Sequence, residues 1–179
     1  MPLRLVVVGA DAMPGQVLAE AAVAAGHEVR AVVQPGSAHS FQVSPRLHVV
    51  IGDAGDPAAA DGMVRGADAV VIVDVPHRDG LAQVIEAATH AMHVHGVTRL
   101  LVVSGVPLPD ALAGSDLDWT IVAVPEVGGA AAAGAVQVLP DGAPDEGARI
   151  PAAVVADFVL TALTAGDWRR TTVALRCES

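Results

Sequence analysis

Leu3-Arg4-Leu5-Val6-Val7-Val8-Gly9-Ala10-Asp11-Ala12-Met13-Pro14-Gly15 joins a short apolar run, rich in β-branched residues, to a turn bracketed by glycines. Gln16 to Ala25 follows with helical spacing, which puts Val17, Leu18, Ala21 and Ala22 on one face. Gly26-His27-Glu28 ends that helix, and Val29-Arg30-Ala31-Val32-Val33 begins a second strand. Strand, glycine turn, helix and strand within about 30 residues make one βαβ unit of the dinucleotide-binding kind.

Outward from that unit, strand-like runs recur at Leu47–Ile51, Ala69–Val73, Arg99–Val103 and Thr120–Val124. Helical patterns lie between them at Pro57–Arg65 and Leu81–His95, with a shorter one near Asp110–Ala113. The strands are continuously apolar rather than alternating, as in a parallel sheet covered on both faces. Pro151–Ala165 reads as a helix with proline in its first turn, and Thr171–Leu175 as a last strand. Gly128–Gly134 and Pro140–Gly147 read as loops. The predicted architecture is therefore α/β: a doubly wound parallel Rossmann sheet in one domain, 1–179. Within it, 1–125 forms a nucleotide-binding-type core and 126–179 a compact C-terminal substrate region.

Composition narrows the functions available. The 179 residues are 53% hydrophobic, enough for a sizeable core. A formal charge of −10 argues against nucleic acid and anionic membrane surfaces, both of which repel such a chain at long range. Cys177 is the one cysteine and has no internal partner, so a reducing cytoplasm is the expected home. No basic flank with a cleavable apolar segment precedes the first strand, and Trp119–Pro140, broken by Pro125, Glu126 and glycines, is a poor membrane span. All ten basic residues are arginine and tyrosine is absent. No mechanism here can use a phenol or a side-chain amine.

Taken in order, several short segments resemble the atypical short-chain dehydrogenase/reductases of the NmrA-like, NAD(P)H-binding branch. Gly9-Ala10 and Gly15 are similar to the family's Gly-Ala-Thr-Gly-x-x-Gly turn. Gly26-His27-Glu28-Val29-Arg30-Ala31, Gly52-Asp53 with Asp56-Pro57, and Gly66-Ala67-Asp68-Ala69-Val70 resemble its entries to and exits from the next strands. Gly96-Val97-Thr98-Arg99-Leu100 through Ser104, and Leu117-Asp118-Trp119-Thr120-Ile121-Val122, resemble its fifth and sixth. The resemblance implies a sheet of order 3-2-1-4-5-6, with Gly9, Ala12, Gly15, Gln34 and Asp53 at the cofactor.

Departures from the family pattern gather at that place. The second glycine is Ala12, one methyl closer to the phosphates. Asp11 puts a carboxylate where two phosphate charges would lie. At about 6 Å and an effective dielectric near 20, each repulsion is ~3 kcal/mol before screening. Pro14 removes a backbone N–H from the first helical turn, although proline is also a favoured helix starter. Gln34 replaces the arginine that holds a 2′-phosphate in many relatives, and Ala123-Val124-Pro125 replaces an Arg-Pro. The expectation from these changes is that no cofactor is retained, with NAD(H) the next choice and NADP(H) after it.

In open α/β sheets the ligand crevice lies beyond the carboxyl ends of the strands. This topology sends Asp11, Asp74, His77, Arg78, Asp79, Ser104 and Glu126 there. Glu126, interrupting an apolar segment, is the leading candidate for an acid or base, followed by Asp11 at a helix N-terminus, with His77, Ser104 and Asp74 around them. Each also has a plain structural role to fill: Ser104 and Asp74 as caps, His77 as a loop histidine. His90, His93 and His95 lack carboxylates at matching spacing and are read as helix-surface residues, so no metal site is expected. The expected function is a non-redox acid/base step on a small molecule, such as isomerisation, cyclisation or elimination. An NAD(H)-dependent oxidoreductase and a non-catalytic nucleotide sensor or partner-binding protein are the alternatives. Leu81–His95 offers an apolar helix through which a homodimer could pair.

Overall fold

The computed structural model describes residues 1–74, 79–106, 108, 112–128, 136–144 and 148–177. His77 and Arg78 lie outside them. So does the start of the short helix expected near Asp110–Ala113, whose described remainder is a turn.

Seven strands of the main sheet run parallel, and helices separate most of them along the chain as the apolar runs dictate. β1 (Arg4–Val8) leads through the glycine turn to α1 (Gly15–Ala24) and β2 (Glu28–Val33). β3 (Leu47–Ile51), α2 (Pro57–Val64), β4 (Ala69–Asp74), α3 (Leu81–His95) and β5 (Arg99–Ser104) follow. β6 (Asp118–Ala123) comes next, then the two-residue strands β7 (Glu126–Val127) and β9 (Arg149–Ile150) with β8 (Val136–Pro140) between them. α4 (Ala152–Ala165) and β10 (Thr171–Cys177) finish the chain. The main sheet has eight strands in the order β3-β2-β1-β4-β5-β6-β10-β8, and β7 pairs with β9 apart from it. The expected 3-2-1-4-5-6 order is thus present and is extended by two strands. β10 runs parallel to β6, and β8 runs antiparallel to β10.

Successive strand side chains face opposite sides, and each side has its own core. Leu5, Val7, Val29, Ala31, Val71, Leu101 and Val173 pack beneath α1 and α4. Val6, Val32, Val70, Ile72, Leu100 and Val102 pack beneath α2 and α3. β4 and β5 are buried along their whole length, which explains their unbroken apolar sequences. No described helix is long and apolar enough to cross a membrane.

The amino-terminal end of the sheet is fastened by polar side chains. His27, almost fully buried, accepts the Leu3 N–H at its Nδ1 (3.0 Å), and burial pushes its pKa down. Arg4 and Asp68 form a two-pronged pair. Buried Arg99 donates to the Asp118 and Ala162 carbonyls and to Thr120 Oγ1 at 2.8–2.9 Å. Ala162 belongs to the last turn of α4, whose carbonyls have no intrahelical donor, so Arg99 caps that helix from beneath. The polar and charged groups that the sequence sends toward function gather at the opposite, carboxyl end.

Candidate cofactor and substrate crevice

The β1–α1 turn is tight for a reason visible in its glycines. Gly9 has φ +80, and a Cβ there would lie 2.2 Å from the Val73 carbonyl oxygen. A Cβ on Gly15 would lie 2.2 Å from the Gly9 carbonyl oxygen. Any side chain at either position would drive β1, β4 and α1 apart. Met13–Pro14 is cis, and the Gln16 N–H is already bonded to the Ala12 carbonyl (3.0 Å). Asp11 and Ala12 lie on this turn, half-buried.

Beside the turn, a cleft opens between the carboxyl ends of β1, β2, β3 and β4. Gly9, Val33, Gln34, Gly52, Asp53, Ile72, Asp74, Asp79 and Leu81 are among its lining residues. This is the switch-point side of the sheet, where a dinucleotide's adenosine half lies in folds of this order. Asp53 Oδ1 accepts the Gly55 N–H (2.8 Å), and Gly55 in turn accepts Gln83 Nε2 at its carbonyl (3.2 Å), so the cleft wall is fixed. The Gln34 carbonyl accepts both the N–H and the hydroxyl of Ser37, which shapes the turn after β2. The cleft is narrow, about 50 Å³, and its rim residues Gln34 and Asp79 are exposed. A far larger hollow of about 810 Å³, between Met1–Pro2, the end of α1 and the outer side of α4, sits at the amino-terminal end. It is shallow and open, and the topological argument places the ligand at the other end.

The remaining candidates spread along the rim. Asp74, Ser104 and Ala123 are aligned in register at the ends of β4, β5 and β6. Asp74 is buried and borders the cleft. Ser104 is fully buried, and its hydroxyl donates to the Val106 carbonyl (3.0 Å) and accepts the Val106 N–H (3.2 Å). Its oxygen is thereby committed to the turn after β5, and the geometry gives it a capping role in place of the expected proton transfer. Glu126 is likewise not a lone carboxylate. Both of its oxygens receive Arg149, from Nε at 3.1 Å and Nη2 at 3.0 Å, across the β7–β9 pair. The partner stands 23 residues downstream, and nothing in the sequence pattern announces it.

Two of the α3 histidines, His93 and His95, also have partners that spacing did not suggest. His93 Nε2 meets Asp116 (2.6 Å) and its Nδ1 donates to the Thr89 carbonyl (2.6 Å), while His95 Nε2 meets Asp61 (2.8 Å). Among the described residues no three metal-ligating side chains converge.

The profile of the NAD(P)H-binding family matches residues 9–114. The chain belongs to the NAD(P)H-binding family. No curated protein matches it in sequence. A short-chain dehydrogenase/reductase from Veillonella parvula, solved in complex with NADP, is 16% identical with a TM-score of 0.81 over 98% of this chain and 94% of its own. A Rossmann-fold NAD(P)-binding family protein from Shigella flexneri is 15% identical, with a TM-score of 0.81 over 100% and 95% of the two chains. ChuY, an anaerobillin reductase from Escherichia coli O157:H7, is 19% identical, with a TM-score of 0.79 over 96% of each chain.

Membership corrects the expectation that no cofactor is retained. The family is defined by nicotinamide dinucleotide binding, and its profile spans the altered turn itself. The physical reason for the error is that Asp11, Ala12 and Pro14 alter the donors offered to the phosphates, but they leave untouched the backbone cradle set by Gly9 and Gly15. That cradle fits the group: each glycine sits where a Cβ has no room. The main expectation, a non-redox step, rested on cofactor loss and so loses its premise.

Proposed function

We propose that this protein is an NAD(P)H-dependent oxidoreductase acting on a small organic acceptor. The observation that carries the proposal is the family profile running through a glycine turn whose geometry excludes any side chain. Gly9, Ala12 and Gly15 would face the diphosphate, and Gln34 and Asp53 the adenosine half. When bound, the reduced nicotinamide supplies a hydride to the acceptor. The chain's own part is to position, to exclude water and to manage one proton.

Sequence and geometry restrict how that proton moves. With no tyrosine and no lysine in the chain, the phenol–amine relay of many dehydrogenases is absent. The Ser104 hydroxyl is occupied by Val106. Asp74, buried at the end of β4 and bordering the cleft, is the described group best placed to orient a water for protonation. Catalysis then relies on proximity between cofactor and acceptor more than on a dedicated acid.

Titration of the purified protein with NADH and NADPH, followed by nucleotide fluorescence, tests the reading. Saturable binding of either in the micromolar range is expected, and oxidation of the bound nucleotide by a panel of carbonyl and quinone acceptors should follow. Absence of binding of both up to millimolar concentration overturns it. Binding without turnover by any acceptor would favour a nucleotide sensor.

A further inference from the structure

The charge on this protein is sorted by end. Of the arginines among the described residues, Arg4, Arg30, Arg46, Arg65, Arg99, Arg169 and Arg170 anchor to groups at the amino-terminal end of the sheet. Arg176 also lies toward the carboxyl end, two residues past the Ala174 that pairs with Ala123, but it is half-buried within β10. Arg149 alone among them stands exposed at the carboxyl rim, with a side chain 63% accessible. It is held there by β9 pairing with β7, only three residues beyond the Ala123 that ends β6. Strand spacing near 4.8 Å puts Ala123 about 10 Å along the rim from Asp74, on the side away from the adenosine cleft. This is where an acceptor would wait for the nicotinamide half.

From this position we infer that Arg149 is an anion-binding residue of the substrate crevice and that Glu126 is its built-in competitor, so the site takes a carbonyl compound bearing a carboxylate. The inference rests on the oxidoreductase reading only for where the substrate lies. A guanidinium presents five N–H groups in a planar fork that matches a carboxylate. Glu126 takes two of them, and both partners remain about 60% exposed, with side-chain accessibilities of 63% and 61%. Exposed pairs of this kind are weak and easily exchanged. An incoming carboxylate can trade places with Glu126 on the same fork, whereas a neutral analogue brings no charge to it. The neighbouring end of α4 adds to the preference, since Pro151 at its N-cap provides no side-chain bond to the first turn.

The test uses the side-chain ¹⁵N–¹H resonance of Arg149 Nε, with pyruvate as the probe and pyruvamide as its neutral match, on wild type, E126Q and R149Q. Pyruvate is expected to shift the Arg149 signal saturably, and pyruvamide is not. E126Q should bind pyruvate about fivefold more tightly, the equivalent of ~1 kcal/mol for removing an exposed competitor. R149Q lacks the reporter, so its binding is read by isothermal titration calorimetry beside wild type; it should abolish saturable pyruvate binding while its circular dichroism and melting curve stay those of a folded protein. A purely structural ion pair predicts the reverse for E126Q, namely unchanged or weaker binding and a lower melting temperature, and that result overturns the inference. An equal shift with chloride at matched ionic strength overturns it too. NADH fluorescence on the same samples separates the two proposals: pyruvate binding without NADH binding sinks the oxidoreductase reading and leaves Arg149 in place.

Discussion

Gly9 and Asp11 stand two residues apart and act on the first turn in opposite senses. Gly9 makes the turn possible, because its φ of +80 and the 2.2 Å approach to the Val73 carbonyl leave no space for a methyl group. Gly9→Ala should cost at least ~2 kcal/mol in urea denaturation, from left-handed backbone strain plus displacement of β4. Under the proposed oxidoreductase reading, Asp11 sets a carboxylate beside the diphosphate. Asp11→Asn is expected to lower the dissociation constant of NADH severalfold at low salt, with the gain shrinking as Debye screening sets in above about 0.1 M. Comparative fluorescence titrations at two ionic strengths measure both effects. His93 offers a third residue-level check. Both of its ring nitrogens meet acceptors, so it is built to hold two protons; the Asp116 bond raises its pKa and depresses that of Asp116. The raised histidine contributes stability that is complete below about pH 6.5 and is lost as pH rises through its folded value. The depressed aspartate contributes above about pH 4, a contribution lost as pH falls through its folded value. An NMR titration should place His93 above a peptide histidine, and Asp116→Asn should bring it back down.

At the level of elements, Arg99 ties β5, β6 and α4 together through three hydrogen bonds, and burial lowers its pKa to about 10. Arg99→Ala strands the buried Ala162 carbonyl, the part-buried Asp118 carbonyl and the Thr120 hydroxyl. It should lower stability by ~2–4 kcal/mol, with the loss read from urea or thermal melts. Elements whose apolar runs are long were legible in the sequence. β3 and α3 match their expected limits, and most other strands and helices fall within one or two residues of theirs. β7, β8 and β9 were not legible. Two residues carry no periodicity, and Val136–Pro140 lies among glycine and alanine, where a strand at the sheet edge needs no continuous apolar pattern. The candidate site was legible at its glycines as far as the tight turn they form, because a backbone requirement leaves a mark in sequence. It was not legible at Glu126, Ser104 or His93, whose meaning depends on Arg149, on the local turn and on Asp116, partners that only the folded chain supplies.

Across the whole molecule, a charge of −10 on 179 residues repels itself. Moving from about 20 mM to about 200 mM sodium chloride should raise the melting temperature by screening that repulsion. A fall instead would mean that the arginine ties at the amino-terminal end outweigh it. The two faces of the sheet also differ in when they can close. α2 and α3 come from the middle of the chain, and the core on their side is complete once Ile121 of β6 is made. The other side needs α4 as well as α1, and its core includes Val155, Ala156 and Val159 from the last quarter of the sequence. During synthesis at about 5–20 residues per second, one flank of the nascent sheet therefore remains wet and sticky until nearly the final codons. Chains halted before Ala152 should be captured by chaperones that bind bare valine and leucine, while full-length chains released from the ribosome should escape them.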